Sequence, residues 1–131
     1  MTTTIMKLST KTNCTVAGPW FQNDKGNVTV VYDFEHDDGS IEKAQVVFEE
    51  VLAFEYRQGP CCRADDILAP DEIQCLTESD YLGAVVELWQ ESVGWQDFHQ
   101  RKGGAARFKH YTMFFDDSGC VNVVASGCRV T

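Results

Sequence analysis

Asn27-Val28-Thr29-Val30-Val31-Tyr32-Asp33-Phe34-Glu35, then His36-Asp37-Asp38-Gly39-Ser40, then a second alternating run from Ile41, is the stretch that decides the fold. Val28, Val30, Tyr32 and Phe34 alternate with Thr29, Val31, Asp33 and Glu35, the period-two pattern of a strand with one face in a core and one toward water. Asp38-Gly39 between two such runs predicts a hairpin, because glycine reaches positive φ without a Cβ clash, so the second strand pairs antiparallel with the first. In that second run Ala44, Val46, Phe48, Leu52, Phe54 and Tyr56 share one face, and Glu50 is the exception. A carboxylate buried without a partner is costly, so a bulge that turns Glu50 outward is expected, with either one bent strand or two strands meeting there.

Working outward, Phe108-Lys-His-Tyr-Thr-Met-Phe-Phe and Cys120-Val-Asn-Val-Val-Ala flank the turn Asp116-Asp117-Ser118-Gly119 and predict a second hairpin. Between the hairpins, Gln58-Gly59-Pro60 ends the first β region, and residues 61–74 read as a long loop carrying acids and Pro70. A helix then follows, with Thr77 as N-cap, Asp80 three residues on, Leu82, Val85, Leu88, Trp89 and Val93 at helical spacing, and Gly94 as its stop. Trp95 to Arg107 reads as a polar connection containing Gly103-Gly104-Ala105-Ala106. Residues 1–26 are Thr-rich and weakly periodic, a lead-in arm or strand with a turn at Gly18-Pro19. The expected architecture is one α+β domain over residues 1–131: an antiparallel sheet of about five or six strands, curved or sandwich-like, with one amphipathic helix against it.

The totals narrow the function classes. Met1 to Thr10 carries neither a basic head followed by an apolar run nor a small-residue cleavage site, and no stretch approaches the roughly 20 apolar residues of a membrane span, so a soluble cytoplasmic protein is expected. In that compartment Cys14, Cys61, Cys62, Cys75, Cys120 and Cys128 are expected as thiols, and no Cys-x-x-Cys or Cys/His spacing predicts a zinc site. Twenty acidic against eleven basic residues give a formal charge of −9, a field that repels phosphate backbones and argues against nucleic-acid binding. The charge is unevenly distributed. From Ala64 to Gln100 there are nine carboxylates and no Lys or Arg, whereas Arg101, Lys102, Arg107, Lys109 and Arg129 follow.

The chemistry-bearing candidates each have a simpler explanation. His36-Asp37-Asp38 and Asp116-Asp117 offer carboxylates to a hard cation, but turn chemistry accounts for both without a metal. Arg63 beside Cys61 and Cys62 favours a thiolate, yet none of the local signatures of catalytic cysteines surrounds them, and neither a Gly-x-Ser-x-Gly elbow nor a phosphate-binding glycine loop occurs. No catalytic residue, metal or cofactor is therefore expected. The acidic stretch is instead read as a face for a basic protein partner, built from Asp65, Asp66, Asp71, Glu72, Glu78 and Glu87 with Tyr81 and Trp95 as aromatic anchors, while Trp89 falls on the apolar helix stripe. Two alternatives stay open: a small enzyme or ligand-binding domain with an apolar pocket lined by Tyr32, Phe54 and His110, and a structural subunit of a homo-oligomer.

The segments Val46-Val-Phe-Glu-Glu-Val-Leu-Ala-Phe-Glu-Tyr-Arg, Val86-Glu-Leu-Trp-Gln-Glu-Ser-Val and the closing hairpin from Phe108 to Ala125 resemble the small, acidic, often β-rich immunity proteins of bacterial toxin systems. The likeness covers about two-thirds of the chain and is one of pattern. It implies a stoichiometric inhibitor that covers the active cleft of a cognate toxin, commonly a basic nuclease, and sets carboxylates where substrate phosphates would lie.

Overall fold

The computed structural model describes residues 3–12, 18–66, 68–69, 71–100 and 104–130, apart from the side chains of Thr3, Asp65 and residues 93–100. Among the described residues, nine strands form two antiparallel sheets. One has five strands in the order β1 (Thr3–Lys7), β6 (Glu72–Leu76), β7 (Lys109–Phe115), β8 (Gly119–Ala125) and β5 (Ala53–Gln58). The other has four, in the order β2 (Trp20–Asp24), β3 (Asn27–Glu35), β4 (Ile41–Glu49) and β9 (Gly127–Val130). The sheets pack as a sandwich, and the one helix, α1 (Asp80–Gln100), covers the outer side of the five-stranded sheet.

The alternation in β3 and β4 sets this up. Val30 pairs with Val46 and Tyr32 with Ala44, so their side chains enter the space between the sheets and meet Tyr111, Met113, Phe115, Val121 and Val123 from β7 and β8. Tyr32 packs edge-on to Phe115 with centroids 5.4 Å apart, and its hydroxyl donates to the Thr10 carbonyl at 2.7 Å, which keeps the buried oxygen paired. The opposite side chains of β8 point outward: Val124 joins Leu82 and Phe108 in a second cluster beneath α1, with Leu52, Val85, Val86 and Trp89 packed against it. All seven residues of β8 are therefore buried.

The turn His36–Ser40 is hydrogen-bonded as a hairpin requires, with Gly39 at φ 84° and Asp38 Oδ1 accepting from both the Ser40 amide (2.9 Å) and hydroxyl (2.6 Å). Asp38 thus works as a turn residue. Glu50 is where the chain leaves one sheet for the other. It has φ 49°, its amide donates to Asn27 Oδ1, and its side chain turns out to meet Arg107 at 3.2 Å. Two strands meet at this corner, and the carboxylate avoids the core.

Several boundaries differ from the sequence reading. The lead-in contains two strands, β1 and β2, and the segment read as a loop ends in β6, which pairs with β1 and β7. A ninth strand, β9, follows the second hairpin and pairs with β4. Helix α1 starts later than Thr77: Ser79 is its cap, its Oγ accepting from the Leu82 amide at 3.0 Å. The helix also runs through Gly94 to Gln100, placing Trp95 on α1 rather than in a connection. A single glycine costs a helix about 1 kcal/mol relative to alanine, too little to stop it when the flanking residues continue it. Leu88 lies off the apolar stripe, 64% exposed.

Candidate functional site

The predicted partner residues fall into separate places. Asp71 and Glu72 lie at the start of β6, where Lys7 of β1 reaches both, at 3.8 and 2.8 Å, so a cation far away in sequence offsets half of this pair's charge. Asp66, expected on the surface, is instead 5% exposed and aimed inward. The Asp65 and Trp95 side chains lie outside the described residues. Glu78 and Glu87 are exposed, and Tyr81 is half-buried on α1. The apolar pocket expected from Tyr32, Phe54 and His110 does not form: Tyr32 fills the space between the sheets, Phe54 packs edge-on against Phe21 (4.9 Å), and His110 faces the other side of its sheet. Alternation along β7 is the reason, since Tyr111 and Met113 take the inner side.

Two features remain. The first is the exposed side of α1. Asp80, Glu87 and Glu91 are exposed at spacings of seven and four, which at 100° per residue places them in a row along the middle of the solvent face. Beside that row, Leu82, Gly83, Val86, Gln90, Ala105 and Ala106 line an open groove of about 550 Å3 between α1 and the short turn Gly104–Arg107, with Glu87 on its rim.

The second feature is a polar pocket of about 220 Å3 on the outer side of the five-stranded sheet, between the turn Ala64–Asp66 and the start of α1. Four side chains form a chain of hydrogen bonds there. Ser79 Oγ is 2.8 Å from His110 Nδ1, His110 Nε2 is 2.7 Å from Asn122 Oδ1, and Asn122 Nδ2 donates to Asp66 Oδ1 at 3.2 Å. The Arg63 amide donates to Asp66 Oδ2 at 2.9 Å, and the Arg63 guanidinium lies 3.5 Å from the same oxygen. Burial alone raises the Asp66 pKa, but the Arg63 amide, Asn122 and the guanidinium outweigh it and hold the carboxyl below its ordinary value. For His110 burial wins: it lowers the pKa against the pull of Asn122 and Asp66, which keeps the imidazole neutral near pH 7. The Tyr81 ring packs against the imidazole at a 58° tilt, with centroids 5.0 Å apart.

Of the expected partner residues, this pocket gathers Asp66 and Tyr81, and of the alternative apolar pocket it holds His110 alone; Ser79 and Asn122 are not among the expected site residues. His110 and Asn122 face each other within the predicted closing hairpin, but Ser79 and Asp66 reach them from segments far away in sequence. The one local signal, a serine just ahead of an apolar helical run, is the ordinary mark of an N-cap.

Among the described residues no group of three or more His, Cys, Asp or Glu side chains is gathered around a metal position, and no helix is long and apolar enough to cross a membrane. The five described cysteines are free; burial pushes Cys120 and Cys128 up to about 12. No protein-family model, curated protein or solved structure matches this chain.

Proposed function

We propose that this chain is a protein-binding module of the immunity type, acting in the cytoplasm, which neutralises a basic toxin by occupying its surface. The observation that carries the reading is the acidic row Asp80, Glu87 and Glu91 alongside the apolar groove of Leu82, Gly83, Val86 and Ala105. Interfaces combine an apolar centre with a charged rim; the rim raises the association rate of an oppositely charged partner, while the centre holds it. The docking face is narrower than the full set of acids, because Asp66 is withdrawn and Asp71 and Glu72 are engaged by Lys7.

The test uses the basic protein encoded beside this chain's gene, where a toxin and its inhibitor are paired. Replacing Asp80, Glu87 and Glu91 together with Lys is expected to slow association at least tenfold at low salt and to flatten its salt dependence. Gly83→Gln is expected to speed dissociation, since no atom lies within 4 Å of the Cβ position and the new side chain fills the groove without strain in the fold. Asp37→Lys, at the distant hairpin tip, serves as the control. Unchanged rates in both the triple variant and Gly83→Gln remove the reading.

A second reading, a small-molecule site, is favoured by one specific observation: convergent polar side chains around the 220 Å3 pocket.

A further inference from the structure

We propose that Ser79 is a nucleophile activated by His110, and that the pocket beside it takes the acyl group of a small, neutral carboxylic ester. This goes beyond the partner-binding reading and stands independently of it. The hydrogen-bond chain fixes the placement of protons from one end. Asp66 only accepts, so the Asn122 amide group faces it and Asn122 Oδ1 faces His110. An amide oxygen also only accepts, so His110 Nε2 carries the proton. Nδ1 is then left with a lone pair 2.8 Å from Ser79 Oγ, and the serine hydroxyl must donate to it. The Leu82 amide already donates to Oγ from the other side, which favours negative charge developing on that oxygen. Nucleophile, base and orienting group are thus in order and within hydrogen-bond reach.

A polar cluster that only supports the fold needs no room beside its hydroxyl. Here Ser79 is half-exposed and borders the cavity, whose other walls include Leu76, Tyr81, Gln74 and Thr112. At about 220 Å3 the space is smaller than the roughly 300–1,000 Å3 of drug-sized sites, so it suits an acyl group of a few carbons with the alcohol toward solvent. Arg63 and Asp66 neutralise each other and Asp80 adds one negative charge at the mouth, which disfavours an anionic ester.

The steps balance with water as the co-reactant. His110 Nδ1 takes the Ser79 proton as Oγ bonds to the ester carbonyl carbon, and the resulting oxyanion accepts from the first-turn amides of α1 ahead of Leu82 and Gly83, whose own amides already donate to Ser79. The bond to the alcohol oxygen then breaks, and that oxygen leaves with the proton from His110. Water attacks the acyl-serine, gives its proton to His110, and the acid departs as Ser79 recovers its hydrogen.

The test is p-nitrophenyl acetate with the full chain, following p-nitrophenolate release and mapping the acetyl label by peptide mass spectrometry. Release above the buffer rate is expected, with the label on Ser79. Ser79→Ala and Ser79→Asn should return it to the buffer rate, and His110→Gln should lower it on the order of 100-fold. Ser79→Asn keeps a capping oxygen, so its loss of activity at an unchanged melting temperature separates chemistry from unfolding. Release no faster than buffer, full release in Ser79→Asn, or label confined to Cys61 or lysines overturns the proposal.

Discussion

His110 commits both ring nitrogens within the protein, to Ser79 and Asn122, and it is 6% exposed. The charged groups facing it are Asp66 and Arg63 from the turn below the pocket and Glu55 from β5, with Asp80 of α1 on the pocket wall and the neutral Tyr81 phenol ring beside the imidazole. Burial dominates and lowers its pKa below the ordinary 6.5. The unfolded chain therefore takes up this proton as pH falls through about 6.5, while the folded chain does so only at lower pH. The neutral histidine's contribution to stability is complete above that range and is lost as pH falls through the folded pKa. Asp66 acts in the same direction lower down: its carboxyl is held below 3.8, so the stability it adds is lost only as pH falls beneath that value. Urea unfolding at pH 7.5 and pH 5 is expected to show a falling midpoint in the wild type and a nearly flat one in His110→Gln. An equal fall in both proteins would mean that His110 does not titrate as its surroundings require.

At the scale of elements, two turn glycines that look alike in sequence play different roles. Gly39 sits at φ 84° with nothing within 4 Å of the place a Cβ would occupy, so Gly39→Ala costs backbone strain alone, about 1 kcal/mol. Gly119 has no positive φ, but a Cβ there would lie 2.0 Å from the Arg57 carbonyl oxygen across the β5–β8 ladder. Gly119→Ala must push two paired strands apart, so a loss of about 3 kcal/mol or more is expected in chemical denaturation. Equal losses in the two variants would contradict this difference. Both glycines are legible in the sequence as hairpin-turn residues, because Asp38-Gly39 and the alternating runs around both turns are local signals. Strands β6 and β9 are not legible, since Glu72–Leu76 and Gly127–Val130 are short and their partners β1 and β4 are remote in sequence. The edge strand β2 is exposed at every position, so it has no apolar period to read. The polar pocket is hidden for the same reason as β6 and β9: the β7–β8 hairpin brings His110 to Asn122 locally, but Asp66 and Ser79 join them only through contacts remote in sequence.

At the scale of the molecule, β7 and β8 are shared property: one side of each strand packs in the sandwich and the other lies under α1 or beneath the pocket. Every local opening that frees β8 must break both clusters at once, because Val123 belongs to the first and Val124 to the second. The opposite extreme is β2, an edge strand of the four-stranded sheet, which among the described strands pairs with β3 alone and is held to the other sheet by Phe21 against Phe54 and Tyr56. Opening free energies should therefore be graded across the fold, from local fraying at β2 to global unfolding at β8. In native-state hydrogen exchange, the amides of Val121 and Val123 are expected to exchange only with the global transition, with a denaturant dependence equal to that of equilibrium unfolding. Amides of β2 are expected to exchange orders of magnitude faster and with little denaturant dependence. Phe108→Ala, which removes a side chain shared by Trp89, Leu82 and Val124, should lower protection in β8 as well as in α1. If β8 keeps its full protection in that variant, the two clusters are not mechanically joined through the sheet, and the helix is merely docked on a sandwich that is stable without it.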